Sequence, residues 1–157
     1  MKTWDEYFAQ ICSLTASKSE DQSTKCGCVI VTATNEIVST GYNGFARGVK
    51  NTEARNERPL KYSYFEHSER NAIYNCARNG VATLGCKLYV TGVPCVDCAR
   101  AIIQAGIKEV IMLTGQHDAS FSERWAESMK VSKEMLAEAN VIVREYTLGD
   151  NDNGKEG

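Results

Sequence analysis

The stretch CKLYVTGVPCVDCARAIIQAGIKEVIMLT (86–114) contains two apolar runs that are typical of buried strands, separated by a segment with helical features. The first run covers 86–92 and the second covers 108–114, while 95–104 is predicted to form a helix that ends at Gly106. A helix between two buried strands is the repeating unit of α/β proteins. This stretch therefore predicts an α/β fold.

The residues on either side extend the alternation of helices and strands. The hairpin strands are predicted at 26–32 and 36–42, the helices at 3–15, 67–80 and 120–138, and a last strand at 141–146. The helix between the last two strands is long enough for a right-handed crossover, so these two strands are predicted to be parallel. The expected architecture is one mixed five-stranded sheet with helices on both faces, in three α/β/α layers.

Length and composition predict one domain followed by a short tail. The chain has 157 residues, of which 43% are hydrophobic, and this size is typical of a single domain with its own core. We expect that domain to cover 1–148. Residues 149–157 are polar and rich in glycine, and we expect them to be disordered.

The number of cysteines and the net charge indicate in which cellular compartment the protein acts and which classes of partner are expected. Seven cysteines are an odd number, which does not favour the paired bridges of a secreted scaffold. We see no apolar signal segment at the N-terminus and no stretch as long as a membrane span, so a reducing, cytoplasmic location without a membrane partner is expected. The net charge of −2 and the pI of about 5.7 argue against a nucleic-acid partner, because phosphate binding depends on basic residues.

Two short motifs contain the residues that are suited to metal chemistry. His67-Ser68-Glu69 begins one predicted helix, and Pro94-Cys95-Val96-Asp97-Cys98 begins another. A CxxC pair on the first turn of a helix places two thiolates close together, and His67 would supply a third ligand. Three protein ligands leave the fourth position of a zinc ion open for catalysis. Glu69 would lie beside the metal without binding it.

Taken alone, each motif is compatible with a different role. The CxxC pair could be a redox motif, and a histidine is more often structural than a metal ligand. A zinc ion could also be purely structural if Cys76, Cys86 or His117 supplied a fourth ligand. A second structural zinc on Cys26 or Cys28 stays open as well, although buried cysteines usually act as small hydrophobic residues.

Together the two motifs match the H-x-E and P-C-x-x-C signature of zinc deaminases. From about residue 20 to 115 the chain resembles the deoxycytidylate (dCMP) deaminase family, within the cytidine deaminase superfamily. The segments that carry the resemblance are STKCGCVIV (23–31), GYNGFARG (41–48), HSERNAI (67–73) and TGVPCVDCARAII (91–103). The zinc motifs are shared across the superfamily, whereas the GYNG segment favours dCMP deaminases. Three positions depart from the family pattern: Ala46 replaces proline, Ser68 replaces alanine and Cys28 replaces alanine.

The resemblance implies a cytidine-deaminase-like fold and the hydrolytic deamination of dCMP to dUMP and ammonia. Zinc would lower the pKa of water towards about 7 for attack on C4 of cytosine, and Glu69 would move the protons. Asn43 would hydrogen-bond a sugar hydroxyl, and the backbone N–H of Ser68 would donate to the pyrimidine O2. The other residues implied in substrate binding are Thr91, Val93 and Pro94.

The resemblance also implies regulation and assembly. Enzymes of this family are commonly hexamers that are activated by dCTP with Mg²⁺ and inhibited by dTTP, so these effectors and a homohexamer are expected. The residues implied in binding a phosphate or an effector are Lys25, Gly41, Tyr42, Gly44, Arg47, Arg55 and Arg58. The basic residues of the segment 43–62, which also include Lys50 and Lys61, would contact a phosphate or form a solvated loop.

Several alternatives stay open at the level of sequence. The chain could act on tRNA or single-stranded DNA, on another cytosine nucleotide or nucleoside, or be a zinc-stabilised module without activity. Asn43 with the glycine after it is also a strong turn signal. The aromatic residues Tyr62, Tyr64 and Phe65 are more typical of a core than of a base-stacking platform, and His117 would be solvated or would gate the pocket.

Overall fold

A computed structural model describes residues 1–117 and 119–148. Its helices are α1 (Trp4–Ala16), α2 (Lys61–Tyr64), α3 (Ser68–Asn79), α4 (Val96–Gln104) and α5 (Ala119–Glu138). Its strands are β1 (Gly27–Val31), β2 (Ile37–Tyr42), β3 (Gly44–Phe45), β4 (Phe65–Glu66), β5 (Lys87–Thr91), β6 (Glu109–Thr114) and β7 (Ile142–Thr147). The predicted tail 149–157 lies outside the described residues.

The main sheet has five strands in the order β2-β1-β5-β6-β7. β1 is antiparallel to both β2 and β5, whereas β5, β6 and β7 are parallel to one another. The prediction of a mixed five-stranded sheet with its last two strands parallel is therefore confirmed. The short strands β3 and β4 form a separate antiparallel pair, which the sequence did not indicate within the irregular segment 43–62 and the residues after it.

Each face of the sheet has its own core, because alternate residues of a strand point to opposite faces. Ile30, Leu88 and Val110 pack with residues of α3, α4 and α5 on one face. Val29 and Tyr89 pack with residues of α1 on the other face. The sheet is thus covered on both sides, which explains why β1 and β5 are almost continuously apolar.

The ends of the helices follow local capping rules. The side chain of Thr3 accepts a hydrogen bond of 3.2 Å from the backbone N–H of Glu6 and caps α1. Gly80 ends α3 in the left-handed conformation with φ of 67°, which glycine adopts without steric cost. None of the helices in the described ranges is long and apolar enough to cross a membrane.

Two of the serines in the long helix α5, Ser128 and Ser132, lie one turn apart and differ in their hydrogen bonding. Ser128 Oγ accepts a hydrogen bond of 3.0 Å from the backbone N–H of Val96 in the first turn of α4. The Ser132 hydroxyl is fully buried and has no hydrogen-bond partner within residues 1–117 and 119–148. A buried hydroxyl without a partner destabilises the folded state.

Ser132→Ala is therefore expected to raise the free energy of unfolding by about 1 kcal/mol. The control Ser128→Ala is expected to lower the free energy of unfolding by about 1 kcal/mol, because the N–H of Val96 loses its acceptor. Urea unfolding measures both changes, provided that the slope of the free energy of unfolding against urea concentration is unchanged. A loss of stability in the Ser132 variant would contradict this description of α5.

Candidate active site

The predicted metal ligands meet where α3 and α4 begin. His67 is the N-cap residue of α3, and Cys95 is the N-cap residue of α4. The Nδ1 atom of His67 lies 3.4 Å from Cys95 Sγ and 3.6 Å from Cys98 Sγ. The three ligand atoms all lie within 4.8 Å of one another.

These distances fit a tetrahedral zinc ion. With Zn–S of about 2.3 Å and Zn–N of about 2.0–2.1 Å, sulfur and nitrogen ligands at a tetrahedral angle are about 3.6 Å apart. Cys76, Cys86 and His117 do not belong to the group, and the described part of the chain contains no other cluster of three such ligands. A structural zinc completed by one of these residues, or a second zinc on Cys26 or Cys28, is therefore not supported.

The pKa values of the two cysteine thiols are shifted in opposite directions. The hydrogen bond from the Cys98 thiol, together with His67, lowers the pKa of Cys95 to about 3. The same contact and burial raise the pKa of Cys98, because two thiolates at this separation repel each other. A divalent cation between them would remove that repulsion, so both sulfurs would bind as thiolates.

Arg70 and Glu66 form hydrogen bonds that orient two of the predicted metal ligands, His67 and Cys98. Arg70 Nη1 lies 3.6 Å from Cys98 Sγ, and Arg70 Nε donates to Glu66 Oε1 at 2.6 Å. The same carboxylate oxygen accepts a hydrogen bond of 3.0 Å from the backbone N–H of His67. Such outer contacts orient metal ligands and tune their charge. The i,i+4 spacing of Glu66 and Arg70 across the first motif was the available sequence signal.

The metal-ligand cluster opens into a pocket, and concave sites of this kind are where small molecules bind. His67, Ser68, Glu69 and Cys95 line one part of it. Glu69 is 6% exposed, and its Oε2 accepts a hydrogen bond of 3.1 Å from the Ser68 hydroxyl. The backbone N–H of Ser68 lies in the first turn of α3, where amides have no partner inside the helix. The pocket thus places an acidic group and the first turn of α3 beside the metal ligands.

Asn43 lines the pocket with its amide already fixed by the protein. Its Nδ2 donates to Thr24 O at 2.8 Å and to Asp21 Oδ2 at 3.3 Å. Its Oδ1 accepts from the backbone N–H of Cys26 at 2.8 Å. Both amide donors are used, and one lone pair of Oδ1 remains. The side chain therefore does more than mark the Asn-Gly turn.

A buried ion pair lies in the same part of the pocket. Lys61 Nζ and Asp21 Oδ2 are 2.7 Å apart, and their side chains are 9% and 5% exposed. Although burial alone would raise it, hydrogen bonds from Lys61, Ser23 and Thr24 lower the pKa of Asp21. Lys61 belongs to the segment for which a solvated loop was one interpretation, and for this residue that interpretation is wrong. Its partner lies 40 positions away in the sequence.

A family model for the cytidine and deoxycytidylate deaminase zinc-binding region matches residues 2–114. The chain belongs to the cytidine and deoxycytidylate deaminase family. It is 41% identical over 123 residues to the deoxycytidylate deaminase of Pongo abelii, covering 74% of this chain and 68% of that protein. It is 37% identical over 150 residues to the deoxycytidylate deaminase of Mus musculus, covering 92% of this chain and 80% of that protein.

The fold of this deaminase family member also matches solved structures. The dCMP deaminase of cyanophage S-TIM5, in complex with dCMP and dUMP, superposes with a TM-score of 0.72 and 24% sequence identity. The match covers 93% of this chain and 99% of the phage protein. The predictions of a cytidine-deaminase-like fold and of the dCMP deaminase family are confirmed.

The pocket of this deaminase contains some of the residues predicted for substrate and phosphate binding. Asn43, Ser68, Thr91, Val93 and Arg58 line it. The other predicted residues are not among its lining residues: Pro94, Lys25, Gly41, Tyr42, Gly44, Arg47 and Arg55.

Several of these other residues have contacts elsewhere. Lys25 Nζ donates to Ser19 O at 2.6 Å, and Arg47 Nη2 donates to Asn75 Oδ1 at 2.6 Å. Arg55 lies over the ring of Tyr64 at 4.4 Å. A Cβ atom on Gly41 would come within 2.3 Å of the backbone oxygen of Ser68, so this glycine allows α3 to pack closely on β2.

Three aromatic residues line the deaminase pocket, and for two of them, Tyr62 and Phe65, a role in stacking on a base was the less favoured alternative. Tyr62 is 48% exposed, so for this residue the expectation of a core position is wrong. Trp125 of α5 also lines it, with its ring 6.0 Å from those of Tyr62 and His67 in edge-on geometry. In the sequence Trp125 is one apolar position of a predicted helix, and helical spacing gives no signal for such a role.

Cys26 and His117 lie together at the margin of this site. Cys26 lines the pocket, although it was expected to be a buried hydrophobic residue. Burial and the negative charge of Glu69 raise the pKa of Cys26 to about 12. His117 is half-buried, with Nε2 at 2.8 Å from Thr91 O and 3.7 Å from Cys26 Sγ. The expectation of a solvated His117 is therefore wrong.

Proposed function

We propose that this protein hydrolyses dCMP to dUMP and ammonia, with zinc held by His67, Cys95 and Cys98. The observation that carries the proposal is a buried carboxylate, Glu69, that lines the same pocket as the group of three potential metal ligands. The relatives named deoxycytidylate deaminase support dCMP as the substrate. The acidic composition, with 20 Asp and Glu against 18 Lys and Arg, favours a small molecule over a polynucleotide.

Zinc, Glu69 and the backbone of Ser68 have different roles in the proposed deamination. When bound, zinc supplies Lewis acidity that lowers the pKa of water. The oxygen of water adds to C4 of the cytosine ring, and Glu69 takes the proton that is released. Glu69 delivers this proton to the ring nitrogen N3, then takes the second proton from the new C4 hydroxyl and delivers it to the exocyclic amine. The C4 carbonyl forms as the bond between C4 and the exocyclic nitrogen breaks, and ammonia leaves. The backbone N–H of Ser68 donates to O2 of the pyrimidine and orients the ring.

Asn43 is suited to the deoxyribose because of its hydrogen bonds to the protein. Its two N–H donors are held by Asp21 and Thr24, so only an oxygen lone pair is left for a ligand. It can therefore accept a hydrogen bond but cannot donate one without losing a partner. A sugar hydroxyl supplies the donor that this geometry requires.

Arg58 is the best candidate for the phosphate contact among the basic residues of segment 43–62. It lines the pocket, is exposed, and has Nη2 at 3.5 Å from Ser23 Oγ. Arg58→Gln is expected to raise KM for dCMP about tenfold and to leave KM for deoxycytidine nearly unchanged, because only the nucleotide carries the phosphate. Steady-state kinetics with both substrates measures this. The matched control is Arg47→Gln, outside the pocket lining, and equal effects of Arg58→Gln on both substrates would contradict the role.

The proposed function itself is tested by offering the zinc-loaded protein dCMP, tRNA and single-stranded DNA and following ammonia release. We expect turnover of dCMP and none of the polynucleotides. Turnover of tRNA alone would replace the proposal with polynucleotide deamination. Deamination of deoxycytidine as efficient as that of dCMP would change the substrate class to nucleosides.

On the family resemblance alone, the proposal extends to assembly and regulation. It includes a cytoplasmic homohexamer of single-domain chains (1–148), activation by dCTP with Mg²⁺, and inhibition by dTTP. The residues assigned to such an effector in the GYNG segment, Gly41, Tyr42 and Gly44, lie outside the lining of the substrate pocket. A regulatory site would therefore be separate from the substrate site.

A further inference from the structure

An acidic side chain lines the part of the pocket in which a phosphate is expected. Among the side chains that the structure describes, the charged residues that line the pocket, apart from the metal ligands and Glu69, are Asp21, Arg58 and Lys61. Arg58 is exposed, whereas Asp21 and Lys61 are 4% and 7% exposed. Two cations and one anion give this part of the pocket a formal charge of +1.

Lys61 has no hydrogen-bond donor to spare for a ligand. Its ammonium group lies 2.7 Å from each oxygen of Asp21 and donates to Ser23 Oγ at 2.9 Å. These three contacts match the three N–H donors of lysine. The phosphate of a substrate would therefore contact Arg58, while the buried pair stays intact.

Asp21 keeps its negative charge through several partners. Asp21 Oδ1 accepts hydrogen bonds from the backbone N–H groups of Ser23 at 2.8 Å and Thr24 at 3.2 Å, and from the Ser23 hydroxyl at 2.9 Å. Asp21 Oδ2 accepts from Asn43 at 3.3 Å. The carboxylate is thus held in one position at the wall of the pocket.

On the basis of the proposed function, we propose that Asp21 determines specificity by restricting the pocket to nucleoside monophosphates. A diphosphate brings at least one further negative charge towards a pocket wall whose described residues supply one fixed carboxylate, paired with Lys61, and one further cation, Arg58. Repulsion between like charges in a partly buried site costs more than in water. Selectivity of this kind arises from disfavouring the wrong ligand as well as from binding the right one.

The test is a series of variants in which the charge of the pocket changes stepwise. The measured quantity is kcat/KM for dCDP divided by kcat/KM for dCMP. Asp21→Asn raises the formal charge to +2 and is expected to raise this ratio about tenfold. The double variant Asp21→Asn with Lys61→Met restores +1, and its ratio is expected to return to that of the wild type. Lys61→Gln lowers the charge to 0 and is expected to lower the ratio about tenfold.

Glu20→Gln is the matched control for charge, because Glu20 precedes Asp21 in the sequence but is exposed and bonded to Asn51. Its ratio is expected to stay at the wild-type value. Unchanged ratios in Asp21→Asn and Lys61→Gln would overturn the specificity role and leave Asp21 a structural residue. If Asp21→Asn does not fold, the ratio measured for Lys61→Gln alone tests the specificity role. This variant is expected to fold, because the Asp21 carboxylate keeps its hydrogen bonds from Ser23, Thr24 and Asn43. A wild-type protein inactive on dCMP would instead overturn the proposed function.

Discussion

Glu69→Gln is expected to lower kcat for dCMP by about 10⁴-fold, the upper range for loss of a general acid–base group. Glutamine has the same shape as glutamate but can neither take a proton from water nor return it to the ring and the amine. Because Glu69 is not one of the three ligands that lie within 4.8 Å of one another, zinc content is expected to stay at one ion per chain. Single-turnover kinetics and metal analysis on the same preparation measure both quantities.

The control for this substitution is Glu138→Gln, which makes the same chemical change at an exposed position at the end of α5. Its kcat is expected to match that of the wild type. If the Glu69 variant kept one tenth or more of wild-type kcat, another group would have to move the protons. If it lost its zinc, Glu69 would be a metal ligand.

Cys98→Ser is expected to lose both bound zinc and activity, and to unfold at a lower temperature than the wild type. A serine hydroxyl is a poor zinc ligand at neutral pH, and two remaining ligands do not hold the ion. A ligand at about 1,000 times its dissociation constant stabilises a folded protein by about 4 kcal/mol, so the loss is large enough to measure by thermal unfolding with and without added zinc.

Cys28→Ala is the matched control, because it removes a fully buried thiol that faces the core and not the metal cluster. This variant is expected to retain zinc and activity and to lose only packing energy. Full zinc occupancy in the Cys98 variant would show that the metal is held elsewhere.

The grouping of the three potential metal ligands could be predicted from the sequence, because each of the two motifs that supply them is short. His67 and Glu69 are two positions apart, and Cys95 and Cys98 are three apart, so helix geometry alone places each pair. Each motif also begins a helix after an extended segment, which is how the structure positions them. The alternation of apolar and helical segments was sufficient for the sheet as well.

The Asp21–Lys61 pair in the pocket wall could not be predicted from the sequence, because its two residues are far apart in the chain. Asp21 and Lys61 are separated by 40 positions, and each belongs to a polar segment that looks like a solvated loop. The burial of these two side chains depends on the tertiary structure, and the pattern of charges along the sequence does not predict it. Trp125 illustrates the same limit, since an apolar residue at helical spacing can face a core or a ligand.

Gly41 shows that a residue of a family motif can be required for packing. The GYNG segment was associated with nucleotide binding, yet the absence of a side chain at Gly41 is explained by the backbone of α3, which lies where a Cβ atom would be. Asn43, two positions later, does line the pocket. Two residues of one motif therefore contribute separately to helix packing and to the lining of the pocket.

The central claim is that His67, Cys95 and Cys98 hold a zinc ion with one open position beside Glu69. X-ray absorption at the zinc edge of the purified protein measures this shell directly. We predict two sulfur ligands at about 2.3 Å and two nitrogen or oxygen ligands at about 2.0–2.1 Å, one of which is exchangeable water. A protein without zinc, or a closed shell with three or more sulfur ligands, would contradict the account.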